Sequence, residues 1–374
     1  MSYDLKIFET IPYNKMLNKH MKISIIYKYI LKELVLTFLF SLAFLNSILT
    51  INNLFGLSKK FLDFGVSFFD FFILVILLQP QLMLFTMPIA LLLSILITYG
   101  RLNMDNELII LRNTGMSLIS IARPVFTVGV ICFIFGLFIS LYIGPLSVSK
   151  LKKGITDIIS TRLPMTIKEG VFNTAFKDVV IMPQGKTPSN TFSSLFVYDG
   201  RKKEPVVIWA KEAEIVPQEG RGSLNINLKK GALYITRENS ITEIFFDKYS
   251  LHLRLQLPEA TRGIRELSLK ELLLNVRKSK DLSIRLEIHK RLSLPAVSLL
   301  LMLLGPPLFP VAGKTGRLGG LSIGLSVCTI YYLLTIYFDN LVRAGKLNHF
   351  IGGWGPTALL GICAVFAFYR MSKR

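Results

Sequence analysis

The sequence predicts a polytopic α-helical membrane protein: six transmembrane helices, three on either side of an inserted β-rich domain. Three observations predict it. Of the 374 residues, 51% are hydrophobic and only 18% charged, against roughly 25% charged in an ordinary soluble domain. Mean hydropathy is +0.50. The charge-free residues gather into six runs, each near the roughly 20 residues that cross a bilayer core.

In chain order the runs are Leu34–Ser58, Phe71–Gly100, Pro124–Ser149, Leu292–Gly313, Leu318–Phe338 and Phe350–Tyr369. A single such run would also suit a buried core helix; six of them, most with charged borders, do not. The first is not a removable signal peptide, since it begins too far into the chain and no small-residue cleavage site follows it. Pro80 and Pro88 fall inside the second run, where neighbouring helices can satisfy the carbonyls they free.

Orientation follows from the short loops, because those rich in Lys and Arg stay cytoplasmic. Lys6, Lys15, Lys19, Lys22, Lys28 and Lys32 precede the first run. Arg101, Arg112 and Arg123 lie between the second and third, Lys314 and Arg317 between the fourth and fifth, and Arg370, Lys373 and Arg374 end the chain. The opposite loops hold only Lys59, Lys60, Arg343 and Lys346. Both termini are therefore expected in the cytoplasm and the long insert outside. The insert's own lysines do not oppose this, since long domains translocate regardless of charge.

The insert, roughly Lys150 to Arg291, has a different texture. Short β-rich stretches alternate with turn signals: Asp178–Met182, Ser194–Tyr198, Pro205–Trp209, Ser223–Leu228, Ala232–Thr236, Ile241–Phe246 and Ser250–Leu255. Such spacing predicts a sandwich or barrel. After Pro258 the leucines fall at helical spacing, which predicts one or two helices leading back to the membrane.

Composition and spacing also exclude functions. The net charge of +20 is spread around the apolar runs and not gathered in one aromatic-studded patch, so nucleic acid is not the expected partner. Cys132, Cys328 and Cys363 each sit in an apolar run, and the four histidines show no ligand spacing. Neither metal nor cofactor is expected. Gly313-Lys314-Thr315 is not a phosphate loop: the motif needs glycine at position 308, which is Leu308. No nucleophile–base set appears, and the spans carry no buried Asp, Glu or Arg of the kind that couples transport to ions. The chain is not expected to be an enzyme, and energy for any transport must come from a partner.

Two segments remain as candidates for function. Between the second and third runs, Asn103 or Asp105 can cap a short helix, Leu108, Leu111 and Arg112 share one face, and Gly115 can end it in a left-handed turn. This helix either lies on the membrane surface or docks on a cytoplasmic partner. Glu107 would be poorly placed against anionic lipid and suits a basic partner. The second segment, Arg285–Arg291, contains His289, Lys290 and Arg291 at the start of the fourth run. Together with Lys59 and Lys60 it admits interfacial anchoring by snorkelling side chains or contact with anionic lipid headgroups.

Four stretches resemble the lipopolysaccharide export permeases, the LptF/LptG (YjgP/YjgQ) family. They are IYKYILKELVLTFLF, GRLNMDNELIILRNTGMS, EIHKRLSLPAVSLLLMLLGPPL and GRLGGLSIGLSVCTIYYLL, and the spacing of Glu107, Arg112, Gly115 and Ser117 matches the family pattern. The texture of EGVFNTAFKDVVIM leans toward LptF. The resemblance implies an ABC-type permease of the inner membrane with a periplasmic β-jellyroll. It would work with the second permease LptG, a cytoplasmic dimer of the ATPase LptB, and the periplasmic proteins LptC and LptA, on lipopolysaccharide as substrate. It also implies a division into residues 1–33 at the cytoplasmic interface, 34–149 with a coupling helix near 103–115, 150–291 as jellyroll and connecting helix, and 292–374. One departure is Asn52 and Asn53, where the family tends to place basic residues. A membrane-anchored scaffold that binds partners without moving lipid is the competing expectation.

Overall fold

The computed structural model describes residues 12–61, 67–166, 169–176, 178–186, 191–201, 204–217, 223–237, 240–254, 263–278 and 281–373. Its elements in order are α1 (Pro12–Phe61), α2 (Phe68–Met104), α3 (Glu107–Asn113), α4 (Leu118–Ile121), α5 (Arg123–Phe138), a π-helical turn (Ile139–Ile143) and α6 (Gly144–Thr166). Six strands follow: β1 (Asn173–Phe176), β2 (Val179–Lys186), β3 (Thr191–Asp199), β4 (Val206–Pro217), β5 (Ser223–Arg237) and β6 (Ser240–Arg254). The chain closes with α7 (Leu269–Lys278), α8 (Leu282–Arg343) and α9 (His349–Ser372). Among the described residues six helical stretches are long and apolar enough to cross a membrane: Ile25–Leu54, Phe68–Met104, Arg123–Ile158, Leu282–Pro310, Gly319–Arg343 and His349–Ser372. The protein is a polytopic membrane protein with an inserted antiparallel sheet.

Most spans are longer than the charge-free runs, because charged residues at their ends continue the helix. Glu33 and Arg101 lie inside α1 and α2, and Arg285–Arg291 lies inside α8. The expected boundary at 291/292 therefore falls mid-helix. By packing, the chain forms two units: Met1–Leu49, Gln79–Pro145 and Leu267–Arg374 in one, Thr50–Leu78 and Leu146–Glu266 in the other. α7 belongs with the helices.

The helical unit is held as membrane helices must be. Lipid is as apolar as leucine, so association rests on close packing at small residues and on polar pairs. Gly129 faces Met302, Gly305 faces Ile95, and Gly324 faces Leu93 and Leu96; a Cβ on any of them would approach these side chains to 3.0 Å or less. Gly352, Gly353 and Gly355 bring α9 equally close to Val342, His289 and Phe338 of α8. Asn46 donates to Gln79 at 2.5 Å and the Tyr27 and Thr127 hydroxyls meet at 2.8 Å, tying α1 to α2 and α5. Ser140, in the π-helical turn, donates to the Arg291 carbonyl at 2.8 Å. Cys132 and Cys328 are buried in the bundle, whereas Cys363 is exposed on α9.

In the other unit the six strands form one sheet in the order β1-β2-β3-β4-β5-β6, every neighbouring pair antiparallel. Ile181, Leu195, Val197, Ile208, Ala210, Ile226, Leu228, Leu251 and Leu253 bury one another in a single cluster. A flat sheet cannot do this, so the sheet curls around its apolar face. The jellyroll expectation shares that curl and apolar interior but not the strand order: a jellyroll exchanges strands between two facing sheets, whereas the described strands run as a plain meander. Two pairs of expected strands are also single strands. Ser223–Leu228 and Ala232–Thr236 join through Lys229-Lys230-Gly231, where Lys230 is left-handed with φ 52°. The partner strand passes so near that a Cβ on Gly231 would lie 2.3 Å from the Trp209 carbonyl oxygen. Ile241–Phe246 likewise merges with the stretch from Ser250 into β6, while the expected end at Leu255 lies outside the described residues.

Candidate functional site

The loop between α2 and α5 is built from inside outward. Tyr99, near the end of α2, stacks on Phe309 with ring centroids 3.8 Å apart and 3° between planes. Its hydroxyl donates to the Ile121 carbonyl at 2.8 Å, which fixes the end of α4. Leu108 is 5% exposed and joins Tyr99, Leu102 and Ile121 in the same apolar cluster, with Leu111 packed at its edge. Burying Leu108 contributes about 1.5–3 kcal/mol, which a seven-residue helix needs, being too short to persist alone.

The helix starts differently from expectation. Its cap residue is Asn106, left-handed at φ 59° and without a side-chain capping bond; neither Asn103 nor Asp105 fills that role. The C-terminal end is as the sequence indicates. Gly115 has φ +82° and donates to the Arg112 carbonyl at 2.9 Å, and Met116 donates to Leu111 at 3.3 Å. Arg112 is exposed and does not share the buried face of Leu108 and Leu111. Met104, Ile109, Ile110 and Ile119 are exposed as well.

Glu107 is not free. Its Oε1 accepts from Arg101 Nη1 at 3.2 Å. Arg101 also donates to Asp105 at 2.9 Å, to the Tyr29 hydroxyl at 2.9 Å, and to both oxygens of Glu33 at 2.5 Å each. Sequence reasoning missed this centre: Arg101 counts there only as a loop cation and Glu33 only as the border of a span.

The second candidate group is largely engaged as well. Lys290 forms an ion pair with Asp339, both less than one-fifth exposed. The Arg291 side chain is 4% exposed and donates to the Leu267 carbonyl at 2.8 Å and to Glu287 at 3.4 Å. His289 stacks on His349 with ring centroids 5.4 Å apart and accepts from the Trp354 indole at 3.3 Å. Arg285, one turn earlier, keeps a buried Nε with no partner among the described residues. The side chains of Lys59 and Lys60 lie outside the described residues.

Comparison with known proteins gives two findings. The family model described as lipopolysaccharide export system permease LptF/LptG matches residues 28–370, which takes in the sheet and all but the outermost few residues of the six spans. The uncharacterized protein RP871 of Rickettsia prowazekii (strain Madrid E) is 26% identical over 345 residues, covering 87% of this chain and 92% of that one.

Proposed function

The chain belongs to the lipopolysaccharide export system permease LptF/LptG family, a family of multi-pass inner-membrane transport components, and on that premise we propose that it is one permease subunit of an ABC-type exporter. The subunit extracts lipopolysaccharide from the outer leaflet of the inner membrane and hands it to a periplasmic bridge. ATP is hydrolysed by a separate LptB dimer. The second permease is LptG, this chain taking the LptF place, and the bridge begins with LptC and LptA. Both termini are cytoplasmic and the sheet is periplasmic.

The observation that carries this reading is the family match across every span and the sheet, set beside a chain that has an apolar-lined curled sheet and a short exposed helix. Lipopolysaccharide brings several acyl chains and phosphates. A curled sheet with Ile181, Val197, Ile226 and Leu251 on its inner face suits acyl chains crossing water. The sheet's order ends at β1 and β6, and such edges accept strands from further sheets. On the cytoplasmic side α3 is the coupling helix. Leu108 and Leu111 seat it, Gly115 ends it, and Glu107 and Arg112 meet the ATPase. In this reading Lys59, Lys60, His289, Lys290 and Arg291 are the basic residues that meet the headgroup phosphates.

Glu107→Arg tests the coupling role. We expect loss of lipopolysaccharide export and loss of the ATPase on co-purification; a bound ATPase with normal export would overturn the assignment. A photo-crosslinker at Ile226, on the inner face of β5, separates transport from scaffolding. Energy-dependent crosslinks to lipid support transport, and crosslinks to protein alone support a scaffold.

A further inference from the structure

One guanidinium joins three helices in the loop region. Arg101 belongs to α2, Glu33 and Tyr29 to α1, Glu107 to α3, and Asp105 to the turn between α2 and α3. The five hydrogen bonds that Arg101 makes use all five N–H donors of a guanidinium. They are unequal. Both Glu33 oxygens are held at 2.5 Å in a two-pronged pair, and arginine and glutamate side chains there are only 25% and 23% exposed. Asp105 and Glu107 each give one oxygen, at 2.9 and 3.2 Å, and are 50% and 36% exposed. Bidentate charge-assisted pairs are the stronger and more directional kind. The Tyr29 hydroxyl completes the group, receiving from Arg101 at 2.9 Å and lying 3.5 Å from the other oxygen of Glu107.

We propose that Arg101 and Glu33 form the joint that transmits movement of α3 to the first span, Arg101 acting as a positioning residue for Glu107. This rests on the coupling role of α3 given above. The reasoning is mechanical and electrostatic. α3 has only seven residues and begins at an uncapped left-handed Asn106, so its own hydrogen bonds cannot carry force to α1. Leu108 seats it in a cluster that includes Ile30 and Leu34 of α1, but apolar contact is non-directional. The Arg101 fork is directional, because its planar donors fix both the distance and the angle to Glu33. One guanidinium faces three carboxylates, so the group keeps two surplus negative charges. A cationic side chain of the ATPase can therefore pair with the exposed Glu107 and Asp105 while Arg101 keeps hold of both and of the less exposed Glu33. Lysine cannot replace the arginine: it is a point charge without the fork.

The test uses the assembled exporter in proteoliposomes. Its variants are Glu33→Gln, Arg101→Gln, the double variant, and Arg101→Lys. Three readouts are taken: ATPase retained on purification, ATP hydrolysis, and lipopolysaccharide released per ATP. For Glu33→Gln we expect retention and hydrolysis within about twofold of the parent and release per ATP lowered about tenfold, the worth of one strong charged hydrogen bond. The double variant is expected to be no worse than Arg101→Gln alone, and Arg101→Lys to fall between parent and Arg101→Gln. Release per ATP unchanged in Glu33→Gln overturns the joint. So does loss of ATPase retention equal to that of Glu107→Arg, since Glu33 would then merely shape the docking surface. Should a variant accumulate poorly, spin labels on α1 and α3 of the assembled complex replace it: the joint requires that their distance stay fixed through the ATP cycle, and a change overturns it. If Glu107→Arg itself leaves export and retention normal, the coupling role fails; if only Glu33→Gln is silent, the joint alone fails.

Discussion

Arg291 can be a lipid contact or a structural knot, and Arg291→Met decides between them. Methionine keeps most of the apolar stem, so the change removes donors and charge more than volume. The main loss is the 2.8 Å bond to the Leu267 carbonyl, about 1.5–3 kcal/mol for a charged donor. The pair with Glu287 at 3.4 Å adds less than about 1 kcal/mol. Against this stands the relief of a charge that is only 4% exposed, which offsets part of the loss. A net of about 2 kcal/mol follows, and it falls on the attachment of the segment leading into α7. That raises local opening about thirtyfold. Hydrogen–deuterium exchange over Leu269–Lys278, in purified protein with no lipopolysaccharide added, reads it directly. Exchange that is unchanged without lipid, and differs only when lipopolysaccharide is present, would refute the structural role and make Arg291 a headgroup contact.

Two further outcomes are expected. Gly353→Ala places a methyl 2.5 Å from His289 Cβ, whereas Gly361→Ala meets nothing nearer than 3.5 Å; thermal unfolding in detergent should show the first destabilised by about 1–3 kcal/mol and the second unchanged. Tyr99→Phe keeps the stack on Phe309 but removes the donor to the Ile121 carbonyl, and should lower stability by about 1 kcal/mol, read in the same unfolding experiment.

The spans were legible because a bilayer admits few charges, and long charge-free runs have few other uses. Their ends were not. A charge ends a run on paper, but Glu33 and Arg101 sit within helices because each finds its partner on the other's helix, and Lys290 because it meets Asp339 far along the same helix, α8; no local pattern encodes that. The sheet was legible as alternation and turns. Its strand count was not, because Lys230 can turn left-handed and Gly231 can admit the neighbouring backbone without ending the strand, so a gap between two stretches is a bend in one strand. The Gly115 stop was read correctly since glycine after a helix has one common use. The start was misread because Asn106 takes a strained backbone in place of a side-chain cap.

Arg101 shows why the chemistry of a site can hide behind topology. The positive-inside rule counts it as a cation that keeps its loop in the cytoplasm, and acidic neighbours contribute little to that count. Glu33 does not enter that count, because it lies 68 residues away and the pair forms only when α1 and α2 pack. Once they pack, the same charge is enclosed by three carboxylates and no longer faces the membrane surface as a free cation. One residue therefore acts twice, first through its sign and then through its shape. The first role tolerates lysine and the second does not, so Arg101→Lys should insert normally and transmit poorly, a combination that a purely topological arginine could not give.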